Sequence, residues 1–64
     1  MGPKDQIAVL KVLKEIKRIT KTIESDVLSN SEEDLAKNLE NIRIISYKLT
    51  VIKGIFSSYN NEDF

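Results

Sequence analysis

The chain has 64 residues, 41% apolar and 31% charged, with ten basic and ten acidic side chains and neither cysteine nor histidine. That bounds it to one small domain without disulfides or thiolate and imidazole metal sites, and the missing cysteine suits a reducing, intracellular compartment. No apolar run approaches the ~20 residues of a membrane span and no signal-peptide core is visible, so no membrane partner is expected.

Met1-Gly2-Pro3 reads as a start methionine followed by a cloning scar and is set apart from the fold. Residues 4–59 then form one module, an all-α antiparallel hairpin. The first helix is predicted over about 5–28, with Asp5 or the Pro3 region supplying its start and acidic Asp5 suiting the positive end of the helix dipole. Val9, Val12, Ile16, Ile19, Ile23 and Val27 step by three or four residues and make a narrow apolar seam. Ile7, Leu10 and Leu13 widen that stripe at its N-terminal end only.

Ser29-Asn30-Ser31 reads as a turn, because these side chains compete with the backbone for hydrogen bonds. Ser31 is the expected cap of the second helix, predicted over about 32–58, and Glu32, Glu33 and Asp34 occupy its electropositive first turn. Residues 60–64 read as a frayed tail.

Two apolar stripes run along the second helix. Leu35, Ile42, Leu49 and Phe56 recur every seven residues, with Ile45, Ile52 and Tyr59 three positions later, as in a coiled-coil seam. Ile44, Tyr47, Val51 and Ile55 follow a neighbouring face, roughly 130° away at ~100° per residue. The first stripe, with Leu39, is expected to pack on the first helix; the second needs a partner from outside the hairpin. The expected exposed patch joins Ile7, Leu10 and Leu13 to Val51, Ile55, Phe56 and Tyr59. Two such patches meeting about a twofold axis would close a four-helix bundle, and further interfaces would allow a tetramer.

Chemistry is sparse. Glu24, Asp26, Glu32, Glu33 and Asp34 lack the glycine-containing alternating loop of a calcium site, and three of them are explained by capping. There is no paired-carboxylate site, no nucleophile with a base and no phosphate-binding glycine loop. Tyr47 and Tyr59 lie on apolar stripes as packing anchors. No enzymatic activity, cofactor or metal is expected.

Net charge is zero but segregated: residues 1–23 sum to +4, 24–40 to −5, 41–61 to +3, and Glu62 and Asp63 add −2. Lys11, Lys14, Lys17, Arg18 and Lys21 form a basic ridge opposite the seam of the first helix. Phosphate contact with nucleic acid is one reading of this ridge. A solvated face, with Lys21 near Glu40 and Lys17 near Glu24, is the plainer one, since no aromatic stacking platform accompanies it. Lys48 lies between the stripes and is expected to lay its stem along the interface with its ammonium at the rim. Gly54 falls on the polar side of the second helix, where it is expected to be tolerated without a packing role.

The short Ile/Lys/Asn/Ser-rich hairpin, the run Asn41-Ile42-Arg43-Ile44-Ile45-Ser46-Tyr47-Lys48-Leu49 and the ending at Phe64 resemble the C-terminal tetramerisation module of the telomere-associated Rap-interacting factor family of budding yeast. The resemblance covers the chain after the scar. It implies a tetramerisation module attached to a long helical-repeat protein, a nuclear location and proximity to telomeric DNA. The residues themselves point to self-association. They leave open docking of a partner-protein helix on the same stripe, and nucleic-acid binding by the ridge.

Overall fold

Two long helices run antiparallel in the computed structural model, which describes residues 1–30 and 32–60. Helix α1 spans Pro3–Ser29, a single 3₁₀ turn spans Glu32–Asp34, and helix α2 spans Leu35–Asn60. The expected cap at Ser31 and the tail beyond Asn60 lie outside the described residues.

The helix ends follow from local chemistry. Pro3 occupies the first turn of α1, where its missing N–H costs nothing and its fixed φ suits the helix. Gly2 precedes it in extended conformation, and its carbonyl accepts from the Gln6 amide at 3.0 Å. The helix thus begins at Pro3, one of the two starts the sequence offers. At the other end Asn30 adopts φ 53°, ψ 43°, the left-handed region that asparagine tolerates, and its amide donates to the Val27 carbonyl at 3.1 Å. The acidic run Glu32–Asp34 forms its own tight 3₁₀ turn before α2 begins.

The contact between the helices is a line. On α1 it runs through Val9, Val12, Ile16, Ile19 and Ile23, as the apolar spacing predicts. Its last place is taken by half-buried Asp26, while Val27 turns outward. From the 3₁₀ turn into α2 the line runs through Asp34, Asn38, Asn41, Ile45, Lys48, Ile52 and Ile55, none of them exposed, with half-buried Ile44 beside it. The line steps by four and three in alternation, and the next step reaches Tyr59. The expected seam is corrected here: Leu35, Leu39, Ile42, Leu49 and Phe56 are exposed, and of that stripe Ile45, Ile52 and the hydroxyl end of Tyr59 meet α1.

Polar partners explain the rotation. Lys48 Nζ lies 2.8 Å from Glu15 Oε2 on the other helix, both side chains part-exposed beside the seam. Lys37 Nζ stands 3.6 Å from Asp26 Oδ2. Within α2 itself, Asn41 donates to Asn38 Oδ1 at 3.1 Å, which leaves the rotation unaffected. At the open end the Tyr59 hydroxyl accepts from the Gly2 amide at 3.0 Å and donates to Asp5. Turning α2 to bring Leu35 and Ile42 inward would break every one of the cross-helix contacts. Among the described residues Val9, Ile19 and Ile52 alone are buried, at 6%, 7% and 6% exposure.

The Lys48 ammonium, bonded to Glu15 and adjacent in charge, holds the Glu15 carboxyl below its ordinary range, helped by Lys11 and Arg18. A lowered carboxyl pKa stabilises the fold above the unfolded-state value, and that contribution disappears as pH falls through the folded value. Glu15→Gln is therefore expected to lower the melting temperature at neutral pH. The difference from the parent chain should close on acidification below the carboxylate range. A thermal-denaturation series showing a constant difference would mean the pair has no such role.

Candidate functional site

Apolar surface outside the seam is the most prominent feature of the molecule. The total accessible area is 5378 Å², whereas a compact protein of 7.3 kDa exposes about 4,200 Å². Many of the large exposed apolar side chains lie in bands on both flanks of α2. At ~100° per residue, Leu35, Ile42, Leu49 and Phe56 lie roughly 80° to one side of the seam, and Ile44, Tyr47 and Val51 a similar angle to the other. The helix thus straddles its partner.

Helix direction decides what adjoins each band. Seen from one end, antiparallel helices wind in opposite senses, so residues following the seam in the same angular order fall on the same face of the hairpin. Leu13 and Val27 of α1 therefore share a face with Leu35, Ile42, Leu49 and Phe56. Val27 and Leu35 indeed line one shallow groove with Asp26, Asn30, Glu32 and Asn38. A second groove on α2 is lined by Leu49, Ile52, Lys53, Phe56, Ser57 and Asn60.

The opposite face carries Ile44, Val51 and Ile55 beside Ala8, Glu15 and Thr22, a more polar strip. Ile44 and Ile55 are half-buried there, Val51 is exposed, and Tyr47 stands at 69% exposure. The single end-patch expected from sequence is thereby split by the seam: Leu13 and Phe56 lie on one face, Val51 and Ile55 on the other. Ile7 and Leu10 sit farther round α1, in a groove with Lys11 and Lys14. Tyr59 is part-exposed, but its hydroxyl is committed to Gly2 and Asp5.

Around the turn the hairpin is inside out. Asp26, Asn38 and Asn41 occupy the inner line, while Val27, Leu28, Leu35 and Leu39 point to solvent, Leu28 at 86% and Leu39 at 73% exposure. Asp26 Oδ2 is buried there without a hydrogen-bond partner. Sequence reasoning missed this band because it placed the leucines in the seam. The alternating steps through Asn38, Asn41, Ile45, Lys48 and Ile52, with Lys48 opposite Glu15, were the signal that would have found it.

Lys11, Lys14, Lys17, Arg18 and Lys21 are all exposed. The ion pairs among the described residues are Lys37 with Asp26 and Asp34, Arg43 with Glu40, and Lys48 with Glu15. The ridge takes no part in them, and Glu40 pairs with Arg43 rather than Lys21, against expectation. The short hydrogen-bonded contact with Glu40 raises the Arg43 pKa and lowers that of Glu40. A Cβ added at Gly54 would meet open space, so this glycine has no packing role within the hairpin. Among the described residues no group of three or more acidic side chains could hold a metal, and no helix is long and apolar enough to cross a membrane.

Compared with family models, curated proteins and solved structures, the chain matches none. Its surfaces must therefore speak for themselves. The ridge has charge without an aromatic platform, so duplex DNA binding should be weak at physiological salt and fall steeply as salt rises. Titration by fluorescence anisotropy with Lys14→Glu/Arg18→Glu/Lys21→Glu as the control checks this; tight, salt-resistant binding abolished by the triple change would contradict it.

Proposed function

We propose that the chain is a non-enzymatic self-association module, a helical hairpin that pairs with further copies of itself as a dimer or tetramer and makes a larger parent protein multivalent. The observation that carries this reading is the inside-out turn half, with leucines outside and asparagines inside. Leaving such a band in water forgoes about 25 cal/mol for every Å² of apolar surface that a partner would cover. Small helical domains commonly gain the missing burial by association.

A second copy supplies a matching apolar band at no additional sequence requirement, because a twofold interface uses the same patch twice. Joining copies raises the local concentration of whatever weak sites the parent carries, which can strengthen binding about 10²–10⁴-fold without new contacts. The likeness to the Rap-interacting factor module suggests a setting in telomere-associated chromatin, where such avidity would act on repeated sites.

Sedimentation equilibrium of the isolated chain is expected to give the mass of two or four chains at micromolar concentration. Its melting temperature should rise with concentration, as mass action requires. A folded monomer with a concentration-independent transition would overturn the proposal and favour a foreign amphipathic helix as the occupant of the apolar face.

A further inference from the structure

Self-association, if it is the function, leaves open which face is used and how the copies are oriented; the following rests on that reading. We infer that two hairpins pack through the face bearing Leu13, Val27, Leu35, Ile42, Leu49 and Phe56, with the turn of each copy beside the open end of the other.

Three observations lead there. The first is continuity of apolar surface. Both helices contribute to this face, whereas the opposite face has apolar residues from α2 and mainly polar ones from α1. Thr20, between Leu13 and Val27 on α1, donates its hydroxyl to the Ile16 carbonyl at 2.8 Å and so brings no unsatisfied donor to the contact.

The second is size. The hairpin is a slab of 44 × 25 × 13 Å, and its broad side exceeds the ~800 Å² per partner of a standard interface. Two stacked slabs would turn the outward band into the centre of a four-helix bundle.

The third is charge. Residues 24–40, at the turn, sum to −5, while residues 1–23 and 41–61 sum to +4 and +3. Copies with turns together would oppose two strongly acidic ends. Copies with turns apart set each acidic end beside the basic remainder of its partner. The α2 band also suits a twofold axis perpendicular to the helices. Leu35, Ile42, Leu49 and Phe56 are symmetric about residues 45 and 46, so Leu35 of one copy meets Phe56 of the other, and Ile42 meets Leu49.

Absence of cysteine makes a crosslinking test clean. The 64-residue Leu35→Cys and Phe56→Cys chains are mixed and oxidised, and Leu35→Cys is separately mixed with Val27→Cys; all three sites are exposed. A disulfide requires Cα atoms within about 7 Å, so the bond formed reports orientation. The expected result is a mixed Leu35–Phe56 disulfide as the main product and little from Leu35 with Val27. Preference for the latter would overturn the orientation, since turns placed together bring α1 of one copy under α2 of the other. In sedimentation, Ile42→Asp/Leu49→Asp should lose the oligomer while Tyr47→Asp/Val51→Asp, both exposed on the opposite face, keeps it. The reverse pattern, or an oligomer forming neither disulfide, would overturn the choice of face and leave self-association standing. A parent chain that is monomeric throughout would overturn both.

Discussion

Two helices can enclose only a line. A slab 13 Å thick is about one helix deep, so a side chain in it has protein on one side and water above and below unless it lies on the contact axis itself. Each turn of helix offers roughly one such place. Among the described residues that constraint limits the core to Val9, Ile19 and Ile52 and leaves the other large apolar side chains partly or wholly wet. It also means that burial alone cannot choose the rotation of α2. Apolar residues lie on three adjoining strips of that helix, and any of them could serve as the line.

Polar contacts make the choice. Glu15 with Lys48 and Asp26 with Lys37 span the seam, and Tyr59 bridges to Asp5 and Gly2. Part-buried ion pairs contribute little net stability, because desolvation offsets much of the attraction. Their effect is on specificity: slipping one helix by a turn would leave Lys48 without its carboxylate in a half-covered position. Register and rotation are thus held by groups that contribute little to the depth of the well. The leucines left outside are available for another contact.

The helices, their antiparallel pairing and the α1 seam were legible from spacing alone. Val9 to Ile23 form a single stripe with polar residues on both sides, so there was one way to face them inward. On α2 the seven-residue repeat of Leu35, Ile42, Leu49 and Phe56 was real but its assignment to the inner line was not, since it flanks the line at a nearly constant angle. A strong periodicity reports that residues share a strip and does not say which strip faces the neighbour. The cross-chain match of Glu15 with Lys48 carried that information and needed the pairing register to be read. Of the two starts the sequence offers, Asp5 and the Pro3 region, the helix begins at Pro3, where proline's fixed φ suits the first turn.

The hydrogen bond between the Gly2 amide and the Tyr59 hydroxyl brings the beginning of α1 to the end of α2. Any polypeptide continuing from either helix would start from the same end of the hairpin, as a cord does on either side of a clip. The module can therefore be accommodated in a longer chain without forcing the flanking segments apart. Two opposed copies would behave differently. Their attachment points would lie at opposite ends of a body about as long as the 44 Å hairpin, making the pair a strut that spaces what it joins.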